Sequence, residues 1–106
     1  MRDDLKGGAL TEVTFLILLA LYQPKHGYAV MQYIEEKTEG RLLLGAGTLY
    51  GALNALLKKG WIEPFGTESG RRKEYVITND GKLAAENELQ RLKQVINLAE
   101  NSMRGE

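Results

Sequence analysis

A mainly α-helical domain with one small β-hairpin and a long C-terminal helix is the fold class this sequence predicts. Three observations carry it. Three short helical patterns come first, two strand-like runs then flank a glycine-bracketed polar tip, and apolar residues finally recur at alternating steps of four and three near the end of the chain. With 106 residues, 43% of them hydrophobic and 26% charged, the chain suits one globular domain and is too short for two.

Residues 1–9, which include Arg2, Asp3, Asp4, Lys6 and Gly7-Gly8, read as a flexible N-terminal arm. Thr11 followed by Glu12 predicts a helix start, because a hydroxyl accepts free amide N–H groups and an acid suits the positive helix end. This first helix is apolar almost all round from Thr14 to Tyr22, and Pro24 stops it. It must therefore lie between layers or be covered in part by a second subunit. His26-Gly27-Tyr28 opens a second helix to about Thr38, with Val30, Tyr33, Ile34 and Lys37 on one face and Gly40 beyond its end. The apolar stretch Arg41 to Leu44 is expected to form a single strand turn. Gly45-Ala46-Gly47-Thr48 leads into a third helix, and Gly60 supplies its left-handed stop.

Trp61–Phe65 and Glu74–Thr78 are the two strands, with the tip at Gly66–Lys73 between them, and Pro64 marks the first strand as having a free edge. Thr78 is a good cap for a final helix reaching about Met103. The resulting organisation is an arm over 1–9, a helix–helix–helix–hairpin unit over 10–78 and a long helix over 79–106.

Absences narrow the chemistry. No cysteine is present, so disulfides, zinc–thiolate sites and thiol nucleophiles are excluded, and the one histidine cannot build a histidine-rich metal site. The apolar run Val13 to Tyr22 falls short of the ~20 residues a membrane-spanning helix requires. No signal-peptide pattern appears, and a cytoplasmic protein without metal, cofactor or membrane partner is the expectation. His26 and Asp80 have no spacing that would bring them into a catalytic dyad, and Gly45 and Gly47 lack the lysine and further glycine of a phosphate loop.

The net charge of zero conceals a gradient. Lysine plus arginine against aspartate plus glutamate gives −2 over residues 1–40, +3 over 41–82 and −1 over 83–106. The basic section coincides with the third helix and the hairpin. At 100° per residue, Leu49, Leu53, Leu56 and Leu57 form a buried face. Gly47, Thr48, Gly51, Asn54, Ala55 and Lys58 collect opposite it, with Tyr50 on the flank. A mid-helix glycine costs about 1 kcal/mol against alanine, so Gly51 on the outer face suggests close approach by another surface. A small polar face ending in Lys58-Lys59 suits a DNA major groove, with base edges near the helix start and phosphates at the lysines. Read alone, it is equally an ordinary solvated face. Arg71-Arg72-Lys73 on the hairpin tip shifts the balance, since a basic tip reaches phosphates or the minor groove. Together these parts describe a winged helix-turn-helix.

His26-Gly27-Tyr28, Gly47-Thr48-Leu49-Tyr50 with Leu53 and Leu56, Gly60-Trp61-Ile62, and Arg72 through Thr78 with Gly81 give a second line of reading. In order and spacing, over about residues 10–100, the chain resembles the PadR family of bacterial transcription regulators, in particular its smaller subfamily with a single C-terminal helix. The resemblance implies a dimeric winged-helix repressor that binds double-stranded DNA. It implies DNA-facing positions at Tyr28, Thr48 and Tyr50, and a wing at Arg71, Arg72 and Lys73. Ala29 departs from the acidic residue common after the Gly-Tyr pair, and Gly51 from the proline or larger residue often found there; both bear on sequence preference. The residues alone also allow Tyr28 and Tyr50 to be core residues with wet hydroxyls.

In the final helix Ala85, Leu89, Leu92, Ile96, Ala99 and Met103 form a heptad seam. With Phe15 of the first helix, these residues are the expected interface of a homodimer with a long C-terminal dimerisation helix, while Leu83, Val95 and Leu98 are expected against the chain's own core. The alternative is that the seam covers only the first helix of the same chain. A dimer implies a near-palindromic operator. Relatives in the family include phenolic-acid and multidrug sensors, which implies a small aromatic or drug-like effector, although no tryptophan falls in the last helix to line a pocket. A winged-helix protein-interaction module without DNA binding is the competing function.

Overall fold

The protein's structure, a computed structural model, describes residues 8–66 and 73–105. Residues 1–7 of the expected arm and the wing residues Arg71 and Arg72 lie outside them. The described residues form α1 (Glu12–Ala20), β1 (Lys25–His26), α2 (Gly27–Lys37), α3 (Ala46–Lys59), β2 (Ile62–Phe65), β3 (Glu74–Ile77) and α4 (Asn79–Met103). This is a mainly helical fold with a small antiparallel sheet and a long last helix, the predicted class.

Local chemistry sets each boundary. Thr11 caps α1 by accepting the Thr14 N–H at 3.1 Å. The other end of α1 is closed by Lys25, whose ammonium donates to the Ala20 carbonyl at 2.7 Å and lies 4.9 Å from the Tyr33 ring centre. Thr38 ends α2 by donating to the Ile34 carbonyl at 2.7 Å, and its oxygen accepts the Leu42 N–H at 3.2 Å. Glu39 and Gly40 then turn the chain with left-handed φ of 53° and 80°. Gly60 stops α3 with φ 78°, as its position predicts.

The sheet corrects one expectation. Arg41–Leu44 forms no strand; it is an irregular link whose Leu42 N–H is already held by Thr38. The third strand is β1, and the order is β1-β3-β2 with both pairings antiparallel. Lys25 lies opposite Tyr75, and Pro64 opposite the same residue on the other side. β2 is thus an edge strand, which is where Pro64 is tolerated.

Ile17, Leu18 and Leu21 of α1 and its end, Val30 and Ile34 of α2, and Leu49, Leu53 and Leu56 of α3 make one core, closed by Ile62, Ile77 and Ala85. On α3 the buried face uses Ala52 where Leu57 was expected; Leu57 and Ala55 are both half-buried. At 100° per residue Ala52 lies about 40° beyond Leu56 and Leu57 about 40° beyond Leu53, on opposite flanks of the leucine face, and it is the Ala52 flank that the core closes over.

Helix α4 starts against the body and leaves it. Gly81, Ala85 and Glu88 are buried, whereas Lys93 through Leu98 are exposed, and the molecule is 58 Å along its longest axis against 28 and 21 Å across. Leu83, Val95 and Leu98, expected on the chain's own core, are exposed instead. Val95 and Leu98 lie on the part of the helix that projects past the body, and Leu83 faces away from it. Ala85 moves the other way: it fills the chain's own core, so the exposed part of the seam begins at Leu89.

Candidate nucleic-acid interface

The outer face of α3 is exposed where its pattern predicts, except at Ala55, which is half-buried. Gly47, Thr48, Gly51, Asn54 and Lys58 are all exposed, and a Cβ added at Gly47 or Gly51 would meet nothing within 4 Å. The face is therefore smooth and shallow, and it ends in two lysines at the negative end of the helix. Lys59 lies 5.0 Å from the Trp61 ring centre, which holds it near the base of β2. Gly45 leaves the start of α3 without a side-chain cap.

The start of α2 comes in beside this face. His26 caps α2 through Nδ1, which accepts the Ala29 N–H at 3.1 Å, and its ring stacks near-parallel on Tyr28 at 6.5 Å. Tyr28 is 53% exposed and Tyr50 45% exposed, so neither is a core residue. Tyr50 of α3 instead lies across Gly27: a Cβ there would sit 2.4 Å from the Tyr50 hydroxyl oxygen.

A recess of about 220 Å³ forms where these parts meet, lined by His26, Gly27, Tyr28, Tyr50, Lys73 and Tyr75. Three predicted site residues from three separate segments, Tyr28 of α2, Tyr50 of α3 and Lys73 just before β3, thus converge on one surface feature. Burial pushes the Tyr75 phenol above its ordinary pKa, and Tyr50 adds to the shift. Gly27 and Tyr75 stand within the motifs quoted from the sequence but not among the expected site residues; packing between distant segments brings them here. The wing positions Arg71 and Arg72 lie outside the described residues, and Lys73 at the wing's base is exposed.

The expected dimer surface divides in two. Phe15 and Leu92 face a common groove of about 470 Å³ between α1 and α4, shared with Leu10, Glu12, Leu16, Glu88 and Arg91. Within it the buried Glu88 carboxylate accepts the Arg91 Nε and Nη2 donors at 2.9 and 2.6 Å and the Leu10 N–H at 3.2 Å. Arg91 and, to a smaller degree, the Leu10 N–H hold the Glu88 carboxyl below its ordinary range against the opposing effect of burial. The remaining seam residues Leu89, Ile96 and Met103 are exposed, and Ala99 is half-buried. Among the described residues no group of acidic or histidine side chains could hold a metal ion, and no helix is long and apolar enough to cross a membrane.

Known proteins share this fold. Residues 15–87 match the transcriptional regulator PadR-like family. A 37.1 kDa protein of transposon TN4556 from Streptomyces fradiae is 38% identical over 78 residues, which is 73% of this chain but only 22% of that protein's length. Protein X of Lysinibacillus sphaericus is 32% identical over 85 residues, 77% of this chain and 76% of that protein. Among solved structures, a PadR family transcription regulator from Clostridium difficile superposes with a TM-score of 0.74 at 26% identity, over 88% of this chain and 99% of that one. Bacillus subtilis PadR in complex with operator DNA has the same fold, with a TM-score of 0.64 at 24% identity over 74% of this chain and 46% of that one. The family match covers most of the folded body, from α1 into α4, and the chain belongs to the PadR-like family of transcriptional regulators.

Proposed function

We propose that the chain binds double-stranded operator DNA as a homodimer and represses transcription from the site it occupies. The convergence of Tyr28, Tyr50 and Lys73 on one recess beside the smooth outer face of α3 carries this reading. In it, α3 enters the major groove with Gly47, Thr48, Gly51 and Asn54 toward base edges. Lys58 and the wing residues Arg71, Arg72 and Lys73 neutralise phosphates. A bacterial protein of this fold and family is held on operator DNA, which supports the same use of the surface here.

Leu89, Ile96, Ala99 and Met103 supply the dimer seam, with Phe15 and Leu92 beside it. Ile96 is 55% and Met103 87% exposed in the single chain, and an apolar row of this kind is stabilised by a second copy. A two-fold dimer presents two α3 helices ~34 Å apart to successive major grooves and selects a near-palindromic site. The α1–α4 groove, with its apolar lining flanked by Glu12 and the Glu88–Arg91 pair, is where a small aromatic effector would bind and bias that spacing.

The test is selection of duplexes from a random pool, followed by anisotropy titration on the selected and a scrambled duplex. We expect an inverted-repeat site bound at two chains per duplex, with affinity falling steeply as salt rises. Replacing Arg71, Arg72 and Lys73 by alanine should leave the fold intact, weaken both duplexes alike and flatten the salt dependence. Recovery of no preferred sequence, or an affinity indifferent to salt, overturns the reading and favours a protein-interaction module.

A further inference from the structure

We propose that Gly27 is a positioning residue for Tyr50, and that the pair sets the Tyr50 hydroxyl as an anchor for a DNA backbone phosphate. The inference rests on the DNA-binding reading above and names a contact within it.

Gly27 is not explained by its own backbone. It has no left-handed φ, and it is the first residue of α2, where glycine is a poorer helix former than alanine. What requires the missing side chain is Tyr50. A Cβ at position 27 would lie 2.4 Å from the Tyr50 Oη, 2.7 Å from Cζ and 3.0 Å from Cε1, closer than van der Waals contact allows. The outer end of the phenol therefore rests on the bare Cα of Gly27. Tyr50 is not being packed away by this contact, since it stays 45% exposed. The contact fixes where an otherwise mobile, solvent-facing ring is held.

The place where it is held determines what it can recognise. The Tyr50 hydroxyl is drawn off the outer face of α3, where Gly47, Thr48, Gly51 and Asn54 lie, and into the recess with Tyr28 and Lys73. The recess that receives it is lined by His26, Tyr28, Lys73 and Tyr75 and lies at the positive end of the α2 dipole, a setting of one ammonium and several phenols that suits an anion. Hydroxyl donors and lysines beside a recognition helix fix its register on the phosphate backbone and carry no sequence information. Gly27 and Tyr50 thus tune affinity for all duplexes equally, while the outer face of α3 sets the preference among them.

The experiment measures anisotropy-based affinity on the selected and the scrambled duplex for wild type, Gly27→Ala, Tyr50→Phe, Tyr50→Ala and the Gly27→Ala/Tyr50→Ala double variant. The new methyl collides only with the far end of an exposed side chain, so Gly27→Ala folds, as circular dichroism would verify. We expect Gly27→Ala and Tyr50→Phe each to weaken both duplexes by a common factor of about tenfold. In the Tyr50→Ala background, Gly27→Ala should change affinity by less than about twofold, because the group it positions is gone. An unaltered Tyr50→Phe affinity removes the phosphate anchor, and this arm holds whatever the behaviour of Gly27→Ala. An equal Gly27→Ala loss in the Tyr50→Ala background, or a loss confined to the selected duplex, overturns the positioning role. Wild type that binds neither duplex overturns the DNA reading itself, a result distinct from these.

Discussion

The Thr78 hydroxyl donates to the Gly60 carbonyl at 2.6 Å while its oxygen accepts the Gly81 N–H at 3.1 Å, so one side chain joins the end of α3 to the start of α4. The Thr78 N–H reinforces the joint by donating to the Trp61 carbonyl at 2.9 Å. α3 carries the proposed recognition face and α4 the proposed dimer seam. Their relative setting fixes how far apart two α3 helices stand in a dimer, and Thr78 is part of what holds it. Thr78→Ala should lower unfolding free energy by about 1–2 kcal/mol, through loss of the cap and of the bond to Gly60. Thr78→Ser should restore most of it. Urea denaturation of the three proteins checks both.

Glu88 makes stability depend on acid. Its carboxyl is held below the ordinary range, first by the Arg91 hydrogen bonds and then by the Leu10 N–H, so the folded state favours the ionised form more than the unfolded state does. A depressed folded-state pKa gives stabilisation that is complete above the unfolded value and disappears as pH falls through the folded one. Glu88→Gln should therefore be less stable than wild type at neutral pH, by on the order of 1 kcal/mol. The gap should close as pH falls through and below the ordinary carboxylate range, where both carry an uncharged group. Urea midpoints measured across that range decide it; a gap that stays constant would show that Glu88 contributes shape and not charge.

Much of this architecture is written locally. Thr11, Thr78 and Gly60 announce helix ends by side-chain chemistry acting within a few residues, and Pro64 announces an edge strand in the same way. The parts that escape sequence reading depend on distant partners. Lys25–His26 has no strand pattern of its own and becomes β1 only because β3 offers it a free edge. Leucine at position 57 reads as core by hydrophobicity, yet the neighbouring helices reach the angle occupied by Ala52. The seam in α4 gives the apolar direction but not the point at which the helix leaves the body, so Leu83, Val95 and Leu98 read as core residues and lie outside. In the candidate site, Tyr28, Tyr50 and Lys73 were legible as separate residues, whereas their shared recess and the role of Gly27 required the crossing of α2 and α3.

Ile96 tests the dimer without disturbing the single chain. It is more than half exposed on the projecting part of α4, so Ile96→Glu should leave the thermal midpoint of the isolated fold nearly unchanged. A two-fold seam would place two such carboxylates in an apolar contact, raising the dimer dissociation constant by on the order of 100-fold. Sedimentation equilibrium should then find monomer where wild type is dimeric, and binding to an inverted repeat should weaken toward that for a single half-site. Wild type that sediments as a monomer would remove the seam from the interface.

Gly51 and Gly81 are both glycines inside helices, and alanine should act on them in opposite directions. At Gly81 a Cβ would lie 2.1 Å from the Trp61 carbonyl oxygen and 2.7 Å from Ile77 Cγ1. The backbone there is held by the Thr78 bonds and has little room to yield, so Gly81→Ala should cost about 2–3 kcal/mol. At Gly51 a Cβ meets nothing within 4 Å, and exchanging helical glycine for alanine should stabilise the fold by about 0.5–1 kcal/mol. A residue that lowers stability and packs against nothing in its own chain is accounted for by what approaches from outside. If the DNA backbone or a base edge comes close to the α3 face there, Gly51→Ala should raise the unfolding midpoint and yet weaken operator binding by about fivefold to tenfold, the scale of a crowded contact. Unfolding and anisotropy titrations on the same preparation separate the two effects. Higher stability with unchanged affinity would turn this part of α3 away from the DNA and leave Thr48 and Gly47, one turn nearer the helix start, as its deepest point of entry.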